Sequence, residues 1–455
     1  MKINSGGFEP VSSKAWKQKI QADLKGGDYN ELLTWISPED ITVKPFYNAE
    51  DMPQPSDKIV TPSADPWKIG HICEVGVENA VSLAQEALEN GAEQLLVNYP
   101  KDADDTLGKL TTVKARKWVD MHDFNEQSLR ELGGVSDPSS RWIADPIGTL
   151  TATGNWAESM ETDMGLLGKF QSQAGDRAVL GIHANRYQNG GATRVQELAY
   201  TLAHGDEYLK KAEMDQGLKP LLENPVFLVA VGGEYFFEIA KLRALRRLWE
   251  LLATTYGYSG KCCIIAMPSH RNKTLYDYNT NMLRSTTECM AAVLGGADVI
   301  CNLPYDSLYH DPNRFADRIA RNQLLLLRHE SYFSAVSNPA DGAYYIEFLT
   351  DQLGKKALDY FKKVDHRGGL LRQLKEHQIQ KKIRESAEKE QLDFNEGRLV
   401  LVGSNKYPNP DDRMKGELHK NPFLPRRSDK TLIEPILPRR LSEAYEQKRL
   451  MDEQQ

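Results

Sequence analysis

The polar side chains best placed for chemistry stand at the ends of predicted strands. Apolar runs typical of buried strands end at an amide, a carboxylate, an imidazole or a hydroxyl, and these residues are Asn98, Asp145, His183, Ser269 and Asn302. In a parallel α/β barrel, the carboxyl ends of the strands form the face that carries active sites. A cofactor-independent aldolase or lyase would need a lysine or a carboxylate pair at this face, and no lysine is present. Asn98 and Asn302 are equally compatible with amides that cap loops.

The cysteines and histidines form no metal-binding motif. The sequence has neither Cys-x-x-Cys nor His-Glu-x-x-His, and we expect no bound metal ion. Cys262 and Cys263 lie in an apolar run, which predicts buried strand residues. Phosphate-binding loops of the Gly-x-x-x-x-Gly-Lys and Gly-x-Gly-x-x-Gly types are also missing, so the nucleotide-dependent classes lack support.

Composition limits the partners of the chain. The 455 residues carry 57 Lys and Arg against 64 Asp and Glu, a formal net charge of −7. A mildly acidic chain is poorly suited to contact phosphate backbones, so we expect no nucleic-acid partner. No apolar run approaches the roughly 18 residues that span a bilayer, and the first ten residues lack the apolar core of a signal peptide. With only five cysteines, these features predict a cytoplasmic protein without a membrane partner.

The predicted elements alternate between strands and helices. Helical periodicity occupies residues 77–88, 197–209 and 235–252. The apolar runs are 69–75, 95–97, 118–121, 142–144, 178–182, 226–231, 262–266 and 299–301. Eight short strands separated by helices are the count of a closed parallel (β/α)₈ barrel of the TIM type. The predicted fold class is therefore α/β, with an N-terminal arm and an extended C-terminal strap.

Three regions follow from this pattern. Residues 1–66 are predicted to form an arm, because apolar patches there are separated by proline-rich stretches. The arm is expected either to pack on its own barrel or to lie on a partner, and the sequence does not distinguish these alternatives. Residues 67–391 are predicted to form the barrel with trailing helices. Residues 392–455, rich in proline and charge, read as a linker or strap.

Several stretches, in one consistent order, resemble the methylmalonyl-CoA mutase family, in particular the small, non-catalytic subunit of its heterodimeric bacterial members. The stretches are Asp145-Pro-Ile-Gly-Thr-Leu150, Tyr187-Gln-Asn-Gly-Gly-Ala192 with Gln196–Ala203, Phe236–Trp249, Asn281–Thr287 with Ala291–Ala297, Arg318–Gln323, and Asn338–Glu347. The resemblance covers nearly the whole chain. It implies a barrel that takes part in the adenosylcobalamin-dependent isomerisation of methylmalonyl-CoA to succinyl-CoA.

The resemblance also implies a division of labour between two chains. Catalytic subunits of the family hold cobalamin on a separate C-terminal domain through the histidine of an Asp-x-His-x-x-Gly motif. The nearest string here, Asp120-Met-His-Asp-Phe-Asn125, lacks the glycine and lies within the barrel region. We therefore expect the cobalamin-binding domain to be absent and no cofactor to be bound by this chain alone. Adenosylcobalamin is expected on a homologous large catalytic subunit, the predicted partner in a heterodimer.

Two positions depart from the catalytic pattern of the family. Where catalytic subunits carry a Tyr-His pair, thought to assist at the thioester, this chain has Asn185 and Arg186, and His183 comes three residues too early. Where they carry an arginine that grips the substrate carboxylate, it has Ala266. Loss of each such group removes about 2–4 kcal/mol of transition-state stabilisation, so we expect no catalytic residue in this chain.

The remaining candidates concern binding rather than catalysis. If the barrel binds an acyl-CoA, the candidate residues are Tyr187, Gln188, His270, Arg271 and Asn302. A basic stripe on the predicted helix 235–252, formed by Lys241, Arg243, Arg246 and Arg247, is compatible with CoA phosphates but more typical of a solvated helix face. The alternative function is an active substrate-binding barrel of a split acyl-CoA mutase that takes cobalamin from a separate chain.

Overall fold

A computed structural model describes residues 11–52, 66–77, 79–99, 106–110, 112–122, 124–134, 137–424 and 430–454. The N-terminal segment begins with two helices and a small antiparallel hairpin. These are α1 (Ser13–Asp23), α2 (Tyr29–Leu33), β1 (Trp35–Ile36) and β2 (Thr42–Val43). Residues 1–10 and 53–65 of the predicted arm lie outside the described residues.

Eight parallel strands close into a barrel, which confirms the predicted fold class. The strands are β3 (Lys68–Glu74), β4 (Gln94–Tyr99), β5 (Arg116–Met121), β6 (Ser140–Ala144), β7 (Ala178–His183), β8 (Val226–Val231), β9 (Cys263–Pro268) and β10 (Val299–Cys301). They pair in sequence order, and β10 closes on β3. Each predicted apolar run falls on one of these strands. The closure is tight at Gly70, where a side chain would begin 2.4 Å from the Cys301 Sγ.

Helices cover the outside of the barrel. They are α3 (Ala80–Glu89), α4 (Thr106–Leu110), α5 (Glu126–Gly134), α6 (Pro146–Thr153), α7 (Met160–Ala174), α8 (Ala184–Gly190), α9 (Arg194–Met214), α10 (Lys219–Glu223), α11 (Tyr235–Thr255), α12 (Thr280–Leu294), α13 (Arg314–Leu325), α14 (Tyr344–His366), α15 (Gly369–Lys375), α16 (Gln378–Asn395) and α17 (Glu443–Gln454). Short 3₁₀ turns occupy Ala49–Asp51, Gly175–Arg177 and Gln216–Leu218, and a π-helical turn occupies Leu326–Glu330. Within the described residues, no helix is both long and apolar enough to cross a bilayer.

Alternate residues of the strands divide the core into two layers. One set packs against the helices and forms the largest apolar cluster. The other set faces the space enclosed by the eight strands, here called the bore. Its buried members are Leu96, Trp118, Ile143, Val179, Val226, Leu228, Ile265, Met267, Val299 and Cys301, with Ile72 and Cys263 at its edge. All eight strands contribute to this cluster, so the bore is filled with side chains, as in most barrels of this type.

Trp118 is the largest side chain of the bore cluster. Its indole Nε1 donates to the Gln94 Oε1 at 2.7 Å, which fixes the ring across the gap between β4 and β5. The Arg116 guanidinium lies 5.8 Å from the centre of the indole ring, on the amino-terminal side. Trp118 therefore closes the lower part of the bore. Gln94 holds one edge of its ring, and Arg116 lies over the face of the ring.

The arm hairpin, defined as residues 35–43, packs on the barrel's helices. Ile41 is buried in the main core, and the Trp35 ring meets Phe237 edge-on at 5.6 Å. Further along, Tyr47 stacks on Tyr345 of α14. The predicted helical face of the arm is different, because α1 has no buried residue. The described part of the arm thus rests on its own barrel and leaves an outer apolar surface.

The strap, defined as residues 430–442, crosses the carboxyl end of the barrel. Its backbone N–H groups donate to carbonyl oxygens of Gly154, Thr151, Asn189 and Arg271, at 2.8–3.0 Å. The accepting residues belong to the connections that follow β6, β7 and β9. Beyond them, the buried Arg440 Nη1 lies 2.5 Å from the Glu446 Oε2 and fixes the start of α17. The proline-rich tail, predicted as a linker, here ties three connections of the barrel together.

The basic stripe of α11 is not a solvated face. Lys241 is buried and lies 2.9 Å from Glu197 and 2.7 Å from Glu238. Arg246 is buried and reaches Asp298 at 2.6 Å. Arg243 pairs with Asp341 and with Glu347. Lys241 and Arg246 donate to the carbonyls of Ala230 and Cys262 in the strand layer, whereas Arg243 points toward α14. The prediction of a solvated face was therefore wrong for these three residues.

A pair of glycine substitutions tests the tightness of this outer layer. In Gly205→Ala, the new methyl group would lie 2.4 Å from Trp249 Cζ3, so we expect overpacking to lower the free energy of unfolding by about 1–3 kcal/mol. In the control Gly165→Ala, on the exposed face of α7, nothing lies within 4 Å, and the helix should gain about 0.5–1 kcal/mol. Urea denaturation measures both. Equal stability of the two variants would contradict the packing described here.

Candidate functional site

A cavity of about 310 Å³ opens at the carboxyl end of the barrel, here called the mouth. Its walls come from the ends of β3, β4, β5, β7, β8, β9 and β10, from α13, and from Lys420 of the tail. The cavity, here called the cup, reaches the upper bore, since Gly70, Ile72, Leu96, Leu228 and Met267 line it. The bore side chains that do not line the cup, Trp118 among them, close the barrel beneath it.

His183 joins two carboxylates at the centre of the mouth. Its Nδ1 lies 2.7 Å from the Asp145 Oδ2, and its Nε2 lies 2.9 Å from the Asp120 Oδ2. The three residues end the neighbouring strands β5, β6 and β7, and all three are buried. Because ionised carboxylates only accept hydrogen bonds, the geometry requires a proton on both ring nitrogens. His183 is therefore an imidazolium cation between two carboxylates.

The titration of the three groups agrees with this assignment. Burial alone would lower the pKa of His183, but the charges of Asp120 and the hydrogen bonds to both carboxylates outweigh it, and the pKa is raised. Burial would likewise raise the pKa of Asp120, but the positive charges of His183 and His122 hold that pKa below its usual range. Each group of the triad therefore favours its charged form, with the positive charge on His183 and a negative charge on each carboxylate.

Asp145 anchors the triad to the barrel wall. Its carboxylate accepts hydrogen bonds from the Gly148 N–H at 2.8 Å, from the His204 Nε2 at 2.8 Å and from the Tyr208 hydroxyl at 2.6 Å, besides those from His183. Burial would raise the pKa of Asp145, but the two histidines hold the pKa well below the usual range of a carboxyl group. These hydrogen bonds occupy the Asp145 carboxylate, which is buried from solvent.

The local sequence explains the position of Asp145. Asp145 is the N-cap of α6, and Pro146 follows it in the first turn. The Asp145 side chain accepts a hydrogen bond from the N–H of Gly148, the third residue of the helix. A methyl group at Gly148 would lie 2.2 Å from the Asp145 Oδ2, so only glycine leaves room for the carboxylate. On β7, a side chain at Gly181 would lie 2.4 Å from the Ile143 Cγ2, so glycine there allows β7 to pack closely on β6. The Asp-Pro-Ile-Gly stretch is thus a cap that turns the carboxylate toward His183.

Several polar atoms in or beside the cup have no hydrogen-bond partner within the described residues. The unpaired atoms are Asp120 Oδ1, Asn185 Oδ1, Arg186 Nη1 and Asn302 Oδ1, and all of them are buried. The Asn302 amide nitrogen is engaged, since it donates to the Ala320 carbonyl at 3.0 Å and to Gln323 at 2.8 Å. The cup thus retains hydrogen-bonding capacity even though its acid–base triad is closed.

The mouth brings together some of the residues predicted from sequence and separates others. Asn185, Arg186, His270 and Asn302 line the cup, together with Asn98. Burial, with the charges of Lys273 and Arg440, lowers the pKa of His270 to about 4, so this imidazole is neutral.

Four predicted positions lie away from the cup. The Tyr187 hydroxyl is buried against His204 at 3.1 Å, and the Gln188 Oε1 accepts from Ser269 at 2.9 Å. Arg271 pairs with Glu390 and donates to the Arg439 carbonyl, so it holds the strap. Ala266 faces the helices, and its neighbour Met267 lines the cup instead.

The sequence analysis did not predict five residues that line the cup or contact the triad, namely Asp120, His204, Tyr208, Asp317 and Arg321. Burial raises the pKa of Asp317 to about 7, and the Asp306 charge adds to this, while Arg321 opposes it. Asp120 had a usable signal, because the ends of consecutive strands are adjacent in a closed barrel. His204 and Tyr208 gave none, since they reach Asp145 from the outer helix α9. Across the part of the chain that the structure describes, no group of three or more His, Cys, Asp or Glu side chains is arranged to hold a metal ion.

The fold is a TIM-type barrel, and at the carboxyl end of its strands Asp145 caps the helix α6. The family model of methylmalonyl-CoA mutase matches residues 139–443. The methylmalonyl-CoA mutase small subunit of Porphyromonas gingivalis is 32% identical over 441 residues, which cover 88% of this chain and 70% of that protein. The chain belongs to the methylmalonyl-CoA mutase family.

Two further relatives describe the range of similarity. The methylmalonyl-CoA mutase small subunit of Streptomyces virginiae is 29% identical over 451 residues, which cover 88% of this chain and 71% of that protein. The methylmalonyl-CoA mutase of Escherichia coli is 34% identical over 227 residues, which cover 48% of this chain and 31% of that protein. The similarity to small subunits therefore extends over much more of the chain than the similarity to this mutase.

Replacement of His183 tests the triad. In His183→Gln, the two buried carboxylates lose the cation between them, and we expect the free energy of unfolding to fall by about 3 kcal/mol near pH 6. A histidine with a raised pKa stabilises the fold fully below its ordinary pKa of 6.5, and that contribution is lost as the pH rises through the raised value. The wild type should therefore lose stability above pH 6.5, and the variant should not. Urea denaturation from pH 5.5 to 8.5 measures this difference.

The matched control is His366→Gln, at an exposed position near the end of α14. It should leave the free energy of unfolding within about 0.5 kcal/mol of the wild type at each pH. A His183→Gln protein as stable as this control would show that His183 does not carry the charge assigned to it.

Proposed function

We propose that the chain is the small subunit of an adenosylcobalamin-dependent methylmalonyl-CoA mutase and is itself catalytically inert. The observation that carries this proposal is the filled bore. The mechanism implied by the family resemblance threads the acyl-CoA thioester through the barrel, and a pantetheine chain needs an open passage. Here Trp118 and the other bore side chains occupy that passage with a close-packed apolar layer.

The state of the mouth supports the same proposal. A radical isomerase needs a group that polarises the thioester and a cation that grips the substrate carboxylate. His183 is engaged on both ring nitrogens, and Arg271 is engaged by Glu390 and the strap. Arg186 lines the cup but stands where catalytic subunits carry histidine. The cup therefore lacks a free imidazole at that position.

The proposed partner is a homologous large catalytic subunit. The arm and the start of α11 expose a group of large apolar side chains, namely Trp16, Leu32, Trp35, Ile36 and Phe236, each at least 47% exposed. Exposed apolar surface of this kind marks sites of protein association. We propose that the large subunit binds this surface. The role of the chain is then to stabilise that subunit in a heterodimer.

The proposal assigns adenosylcobalamin to the large subunit. When bound, this group supplies the radical that starts the rearrangement. A histidine ligand to a metal needs a free lone pair on one ring nitrogen, and His183, the histidine at the centre of the mouth, has none. The strap also occupies the rim of the mouth beside β6, β7 and β9. We infer a cytoplasmic location for the complex, because all five cysteines are free thiols.

An alternative function is a substrate-binding barrel that takes cobalamin from a separate chain. One feature of the cup favours this alternative function. The unpaired Arg186 Nη1 and Asp120 Oδ1 could form hydrogen bonds with a polar ligand. This alternative requires turnover when the chain is mixed with a separate cobalamin-loaded domain that carries Asp-x-His-x-x-Gly and no barrel of its own. The inert-subunit proposal expects no turnover in that mixture.

A reconstitution experiment tests the proposal directly. The purified chain, incubated with adenosylcobalamin and methylmalonyl-CoA, should form no succinyl-CoA, and addition of a large catalytic subunit from the same organism should restore turnover. The large subunit alone should be less active or less stable than the pair. Formation of succinyl-CoA by the chain alone would overturn the assignment of an inert subunit.

The partner surface has its own test. We expect Trp35→Asp to weaken association with the large subunit by at least about tenfold, because it replaces a large exposed apolar side chain of this group with a charge. The control is Met214→Asp, at the far end of α9, where the side chain is 87% exposed and away from the arm. Sedimentation or co-purification compares the two variants. Equal association of both would remove the arm from the interface.

A further inference from the structure

One corner of the cup lies between the end of β10 and the helix α13. Asn302, Asp317 and Arg321 line it, and these three residues are here called the α13 corner. Asn302 is 6% exposed, and Asp317 and Arg321 are each 7% exposed. The Asn302 amide nitrogen donates to the Ala320 carbonyl of α13 at 3.0 Å, which places this strand end against the helix. On either side, two strands separate β10 from the strands of the triad, so the α13 corner is a distinct part of the cup.

Each residue of the α13 corner has a polar atom without a partner. The Asn302 Oδ1, the Asp317 Oδ2 and the Arg321 Nε are all buried, and none of them has a hydrogen-bond partner within the described residues. Buried polar atoms of native proteins are normally paired, and a buried charge without a partner is strongly destabilising. Three such atoms in one corner of the cup therefore indicate a polar ligand that the described chain does not supply.

The two charges of the α13 corner do not pair with each other. Asp317 and Arg321 are four residues apart on α13, yet they form no ion pair in the described chain. An aspartate four residues ahead of a cation is a favourable arrangement on a helix. The same spacing does give an ion pair on α9, where Asp206 and Lys210 lie 2.7 Å apart. On α13, both charges are therefore left for a molecule in the cup.

The electrostatic surroundings differ between the two ends of the α13 corner. At one end, burial raises the pKa of Asp317 to about 7, and the negative charge of the nearby Asp306 adds to the rise. At the other end, burial and the positive charge of Arg321 lower the pKa of His71 on β3 to about 4, so this imidazole is neutral. One end therefore suits a positively charged group of a ligand, and the other end suits a negatively charged group.

The wall beside these charges is apolar. Ala320 and Leu324 lie about one turn after the two charged residues on the same face of α13, and both are buried and line the cup. Leu303, which follows Asn302, lines it as well. A ligand of the α13 corner therefore needs a cationic donor, an anionic acceptor and an apolar part, and it must fit a cavity of about 310 Å³.

We propose that the α13 corner binds a free α-amino acid with a small aliphatic side chain. The N–H groups of its ammonium suit two acceptors, the Asp317 carboxylate and the Asn302 Oδ1. Its carboxylate accepts from the Arg321 guanidinium, a pairing that is strong in proteins. A zwitterion has no net charge, so it compensates both buried charges without adding one. This site goes beyond the proposed function and does not depend on it, because every residue of the α13 corner belongs to this chain.

Calorimetric titration of the full-length chain with glycine, L-alanine, L-valine and L-leucine tests the α13 corner. At least one of these amino acids should bind saturably, with a dissociation constant below about 1 mM. Its N-acetyl derivative lacks the ammonium, and its amide derivative lacks the carboxylate. Each derivative should bind at least about tenfold more weakly, because it loses one of the two ion pairs. No saturable binding of any of the four amino acids, or equal binding of a derivative, would overturn the proposal.

Two variants and a matched control locate the binding. Asp317→Asn and Arg321→Gln each remove one charge of the α13 corner and should weaken binding at least about tenfold. Because each change removes a buried charge without a partner, we expect both ligand-free variants to fold. Arg318→Gln alters an exposed arginine of the same helix and should bind as the wild type does. Wild-type affinity in either Asp317→Asn or Arg321→Gln would overturn the proposal, because the amino acid would then bind elsewhere.

Discussion

The packing of apolar side chains in the bore sets the depth of the mouth. All eight strands contribute inward side chains, and Gln94 holds the largest of them, Trp118, by a hydrogen bond. A barrel closed in this way is stabilised by its own packing, and its mouth is a cup above the packed side chains. The Asp120–His183–Asp145 triad then braces the rim over three neighbouring strands. The triad thus joins three strand ends at the face where barrel enzymes place their active sites.

Membership in a mutase family and a structural role are compatible in this molecule. The stretch at Asp145 that resembles the family forms a helix cap, which turns a carboxylate toward His183. The helix α11 carries a network of buried ion pairs. Both features join neighbouring elements of the barrel through buried hydrogen bonds and ion pairs. Two segments outside the barrel are suited to contact with another chain. One is the arm with its exposed tryptophans, and the other is the strap across the rim.

The sequence predicted the barrel well because its signal is local. Each strand is a short apolar run, and the alternation of strands with amphipathic helices is legible without knowledge of contacts. The site was predicted only in part. His183 and Asp120 are 63 residues apart, and their pairing depends on the register of β5, β6 and β7. Burial of Lys241 and Arg246 was missed because a helical stripe of charge looks the same whether it meets water or carboxylates. The contact between Glu39 and the barrel has no sequence signal, because its partner Arg194 lies 155 residues away on α9.

We propose that a packed bore and a closed triad leave no binding site for an acyl-CoA thioester. Calorimetric titration of the purified chain with methylmalonyl-CoA measures such binding, with a single-chain mutase of the family as the positive control. We expect no saturable heat at ligand concentrations up to about 1 mM, a limit that corresponds to a binding free energy weaker than about −4 kcal/mol. Stoichiometric, saturable binding at micromolar concentration would refute the inert barrel, because the thioester would then have to displace Trp118 or occupy the cup beside His183.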